Sequence, residues 1–73
     1  SVCGYKIIRM KAKGKDLKEG QKVAFTSSGR HYQFHGIVEK DSIKILPKDD
    51  VPEYLHGATW GLWLDHKYKL LTD

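Results

Sequence analysis

Cationic side chains crowd the first third of the chain, at Lys6, Arg9, Lys11, Lys13, Lys15, Lys18 and Lys22. The chemistry they suit is phosphate binding: several cations within reach of successive phosphates displace condensed counterions, and ion release drives association. Arg9, Lys11 and Lys13 alternate, which places them on one face of a strand, opposite Ile8 and Met10. A solvated strand face whose lysines deter edge-to-edge pairing is the structural alternative. Aromatic rings lie among further basic residues: Tyr5, Tyr32, Phe34 and Tyr68 alternate with His31, His35, Lys6, Lys67 and Lys69. Exposed rings of this kind stack unpaired bases, although a chain this short also needs rings for its core. Trp60 and Trp63 are three residues apart and so fall on opposite faces of a strand, which leaves one of them for the surface. An exposed Trp is a frequent anchor in protein interfaces.

Metal and acid–base chemistry are poorly served. His31 and His35 share a strand face but stand roughly 13 Å apart along it, too far to ligate one ion. There is no Cys-x-x-Cys pair, P-loop, nucleophile elbow or dinucleotide fingerprint. A metal-independent nuclease built on His31 or His35 with Glu39 and Arg30 has suitable residue types, yet strand geometry keeps His35 and Glu39 apart. The chain is therefore expected to be non-catalytic and to hold no metal or cofactor.

The scaffold carrying these residues is small. Seventy-three residues make one domain and exclude doubly wound nucleotide-binding folds and TIM barrels. Charged residues are 30% and hydrophobic residues 40%, a globular balance and not that of a disordered tail. The net charge of +4 is unevenly distributed. Residues 1–36 hold eight basic and two acidic side chains, whereas residues 37–73 hold five basic and seven acidic ones. A polyanionic partner is favoured if the basic half maps to one face, and less so if strands from the two halves interleave. The single cysteine, Cys3, offers no internal disulfide, which favours a reducing cytoplasmic setting. No segment has the length of apolar chain that a membrane span requires.

Punctuation by Gly, Pro, Ser and Asp at short intervals predicts strands and hairpins. The expected strands are Tyr5–Ala12, Lys22–Ser27, His31–Lys40, Ser42–Leu46, Thr59–Leu64 and Tyr68–Leu71. Gly36, inside the third, reads as a bulge or bend. Between Pro47 and His56 one helical turn is expected, with Asp50 as its N-cap and Pro52 early in the turn. The expected core is Ile8, Met10, Val23, Phe25, Phe34, Val38, Ile43, Ile45, Leu62, Leu64 and Leu70. The fold class is thus mainly β: a small SH3-like barrel of five or six short antiparallel strands with at most one helical turn.

Residues 17–46 carry a family resemblance. Leu17-Lys18-Glu19-Gly20-Gln21-Lys22-Val23-Ala24-Phe25 is similar to the opening of Tudor-type and related SH3-like barrels. A polar Ser28-Gly29-Arg30 turn, an aromatic Tyr32–Val38 strand and a β-branched Ser42–Leu46 strand follow. Pro47-Lys48-Asp49-Asp50 departs from the acidic-Tyr-Gly ending of many Tudor domains. The resemblance implies the barrel fold and nominates Phe25 and Tyr32 for an aromatic cage, with Tyr54 or a Trp as additions.

Two functions are expected from these observations. In the first, a monomeric module binds nucleic-acid phosphates through Arg9, Lys11, Lys13, Lys15 and Lys22, with Tyr32 and His35 contacting bases. In the second, a small adaptor or inhibitor docks on a larger acidic protein through Trp63, Tyr54 and the same lysines.

Overall fold

Short apolar–polar alternation between turns leaves each segment able to bury only one face, so the segments must pair. In the computed structural model, which describes residues 4–27, 29 and 32–72, they form one six-stranded antiparallel sheet. The strands are β1 (Lys6–Lys13), β2 (Lys22–Thr26), β3 (Gln33–Val38), β4 (Ser42–Ile45), β5 (Thr59–Gly61) and β6 (Lys67–Thr72). Their spatial order is β1-β6-β2-β3-β4-β5, so the last strand inserts between the first and the second. The mainly-β expectation therefore holds, with six strands. Among the described residues no helix is long and apolar enough to cross a membrane.

The sheet curls around one core. Val23 and Phe25 from β2, Phe34 and Val38 from β3, and Ile43 and Ile45 from β4 are buried together with Val51 and Tyr68. Rings bridge distant strands: Phe25 lies 5.4 Å from Phe34 and 5.8 Å from Tyr68, and Phe34 lies 5.2 Å from Trp60. Tilted and edge-on contacts of this kind stabilise beyond the area they bury. The edge strand β1 is fastened to the β5–β6 connection by the amides of Gly14 and Lys15, which donate to the carbonyls of His66 (2.9 Å) and Leu64 (3.0 Å). Gly14 is required there, because a Cβ would fall 2.2 Å from the Trp63 carbonyl oxygen.

Several local expectations need correction. Met10 is 64% exposed, because pairing between β1 and β6 slips between Ile7 and Lys11 and breaks the alternation that would have turned it inward. Leu64 is 58% exposed, since β5 ends at Gly61 and residues 64–65 form a turn. Gly36 marks no bulge: it pairs regularly with Val23 and Ile45. Its missing side chain makes room for Ile43, whose Cγ2 would lie 2.3 Å from an added Cβ.

The expected helical turn forms as a 3₁₀ turn at Glu53–Leu55, and a further one occupies Gly14–Asp16. Asp50 does not cap the Glu53–Leu55 turn; it pairs with Lys48 instead. The loop around that turn is tied by His56, whose Nε2 lies 2.9 Å from the Val51 carbonyl and 3.2 Å from that of Lys48.

Candidate nucleic-acid interface

Residues directly opposite each other in a sheet project from the same face, so the register defines what shares the outer surface. Lys11 stands opposite Lys69, and Lys13 opposite Lys67. The row through Lys69 continues to Ala24 and then to His35. Thr26 and Gln33, opposite each other, lie two residues further along on β2 and β3. Lys22 occupies the same face of β2 as Ala24, with its ammonium 5.2 Å from the Tyr5 ring centre.

A groove of about 390 Å³ crosses this surface, lined by Lys67, Lys69, Ala24, Thr26, Ser27 and Gln33, with Phe25 and His66 at its side. Among the described residues no carboxylate lines it. Ala24, the smallest side chain in its row, is 2% exposed, between Lys69 on one side and His35 on the other. Like charges directly opposite one another in a sheet oppose folding. Two stacked Lys–Lys pairs are therefore an arrangement that folding alone does not favour, and one that an anion would relieve.

The cations nominated from sequence separate into groups. Lys11 and Lys13 join the paired rows, and Lys22 shares their face. Arg9 is exposed within the irregular stretch of β1, outside the ladder, and Lys15 is exposed in the Gly14–Asp16 turn. Lys67 and Lys69 complete the rows and were not nominated. Their signal was the alternation Lys67-Tyr68-Lys69, which puts both lysines opposite a ring that is now 3% exposed.

The two proposed base contacts are not available on this face. Tyr32 is half-buried against the core, 5.9 Å from Phe34, and its amide donates to the Ser27 hydroxyl where the β2–β3 hairpin closes. His35 lies in the Lys69–Ala24 row but is 5% exposed. Burial, and after it the charge of Lys48, lowers its pKa below 6.5, which favours the neutral ring. Arg30 and His31 lie outside the described residues, as does Cys3. Among the described residues no group of three or more His, Cys, Asp or Glu could hold a metal ion.

Beside the groove is a small pocket of about 80 Å³, walled by Phe25, Trp60, Trp63, His66 and Tyr68. Trp63 is 66% exposed, and its amide donates to the Tyr68 hydroxyl at 3.1 Å. Tyr54, 81% exposed, lines neither the pocket nor the groove, so the two aromatic anchors are not combined there. Phe25 and Tyr32 are likewise divided, only Phe25 reaching the pocket. Comparison of the chain with protein-family models, curated proteins and solved structures finds no match.

Proposed function

We propose that this domain is a non-catalytic module that binds nucleic-acid phosphates on the outer face of its sheet. The observation that carries the proposal is the register Lys11–Lys69 and Lys13–Lys67, two like-charged pairs side by side. Rows two residues apart along a strand are about 7 Å apart, and neighbouring strands about 4.8 Å. Four ammonium groups on flexible stems are thus spread over an area that a phosphodiester chain can follow. Lys22 extends the same face, while Arg9 and Lys15 add charge around it.

Titration of mixed-sequence oligonucleotides at several salt concentrations tests the proposal. Four phosphate contacts predict a log–log salt slope of about −2.8 for single strands and about −3.6 for duplex. Neutralising Lys67 and Lys69 should reduce the single-strand slope by about 1.4. Absence of any complex at low salt would overturn the proposal and leave Trp63 as the anchor for a protein partner.

A further inference from the structure

Phosphate binding on the lysine rows leaves the adjoining aromatic pocket unused. Pocket and groove share Phe25, Thr26 and His66, so a polyanion lying along Lys67 and Lys69 passes the pocket mouth. We propose that Trp63 is a stacking platform for an unpaired nucleobase of a single strand whose phosphates lie on those lysines. The proposal rests on the phosphate-binding function above and specifies its ligand as single-stranded.

The local geometry supports a platform held ready for a flat ring. Trp63 follows β5 outside the ladder, yet its backbone is fixed by the hydrogen bond to Tyr68, a side chain that is 3% exposed. His66 meets the indole at 90° with centroids 6.3 Å apart, and itself packs edge-on to Tyr68 at 4.6 Å. Trp60, held in the core against Phe34, closes the back of the pocket. With 66% of its surface open, Trp63 offers an indole that a base can cover, whereas a cavity of about 80 Å³ offers little room for engulfing one.

Charge selects among flat or compact ligands. Among the described residues no carboxylate lines the pocket, and Lys67 and Lys69 line the adjoining groove, so a methylated ammonium finds no counter-charge among them. A neutral base attached to an anionic backbone satisfies both surfaces at once. Duplex bases are already stacked and paired, so only an unpaired strand gains the contact.

The test compares three ligands of equal length: a mixed-sequence single strand of roughly 12 nucleotides, the matching duplex and an abasic strand. Anisotropy is measured for the wild type, Trp63→Ala and Trp63→Phe, and tryptophan fluorescence for the wild type. The wild type should bind the mixed strand about 5- to 140-fold tighter than the abasic strand, with its fluorescence quenched. Trp63→Ala should abolish that preference without changing the salt slope or duplex affinity, and Trp63→Phe should restore part of it. Equal binding of mixed and abasic strands by the wild type, or a preference undiminished in Trp63→Ala, would overturn the stacking site while a lysine-dependent salt slope kept the phosphate proposal standing. Failure of all three ligands to bind at low salt would remove both.

Discussion

Lysine plays opposite parts at two places in this sheet. Lys48 is 5% exposed, and its ammonium donates to the Gln33 carbonyl at 2.8 Å and pairs with the Asp50 carboxylate at 3.1 Å. Lys11, Lys13, Lys67 and Lys69 instead face one another across β1 and β6, without a carboxylate among their register partners. At Lys48 the protein satisfies the charge internally, so the residue belongs to the architecture. On the lysine rows the register supplies no counter-charge, and the proposed function assigns that part to a bound anion. The same residue type thus reads as structure or as binding surface according to what its register supplies.

The sharpest way to break this contrast is to neutralise the rows. A Lys11→Gln/Lys13→Gln/Lys67→Gln/Lys69→Gln variant should lose most of its affinity for single strands at low salt. In the wild type four phosphate contacts, if the proposed binding holds, should make affinity fall about fifty-fold between roughly 50 and 200 mM salt. In the variant that dependence should fall to the remainder that Lys22, Arg9 and Lys15 supply. Retention of the full dependence would move the binding surface elsewhere.

Lys48→Ala should do the reverse. Removing the buried ammonium leaves the Gln33 carbonyl without that donor, a loss of about 1–3 kcal/mol measurable by urea unfolding. Asp50, whose side chain is 65% exposed, can be rehydrated and adds little to the loss. The salt slope for oligonucleotides should stay as in the wild type. A changed slope with unchanged stability would mean that Lys48 is part of the binding surface.

A smaller effect separates the two groups by sign. Because Lys67 and Lys69 face like charges, Lys67→Gln/Lys69→Gln should unfold at the same or slightly higher urea concentration, a gain of up to about 1 kcal/mol. Loss of stability comparable to that of Lys48→Ala would contradict the register-based explanation.

The weakest effect expected is with pH. Burial, and then the Lys48 charge, lowers the pKa of His35 below 6.5, and the hydrogen bond from Lys48 lowers that of Asp50 below 3.8. Each group binds its proton less readily folded than unfolded, so their contribution is present above the unfolded values and declines as pH falls. The His35 contribution should begin to decline near pH 6.5 and go on declining down to its folded-state value; that of Asp50 follows in the acid range below 3.8. The urea midpoint should therefore drop as pH falls below about 6.5, and His35→Gln should flatten that drop. An unchanged pH profile in His35→Gln would assign it to other groups.

The strands were legible because alternation and turn residues are local signals. Val23, Phe25, Phe34, Val38, Ile43 and Ile45 were expected in the core, and all are buried. Met10 and Leu64 were misplaced because alternation holds only while pairing is regular, and both the slip in β1 and the end of β5 at Gly61 interrupt it. Val51, 3% exposed, is not marked by any strand alternation: it sits in a loop that closes on itself through His56, whose ring contacts the Val51 and Lys48 carbonyls. In the candidate site, Lys11 and Lys13 were found from alternation, whereas Lys67 and Lys69 were hidden in the acidic half of the chain.

From sequence alone the chain is a small, basic, mainly-β domain with cations on one face of its first strand. Period and turn chemistry determine that much, because each acts over a few neighbouring residues. Tertiary structure decided which strand lies beside β1. Placing β6 there brought the lysines of the two chain ends into opposite pairs and set the Trp63 pocket against their groove. Strand pairing depends on how the whole sheet closes over its core, a sum of non-local contacts that no short stretch of sequence contains.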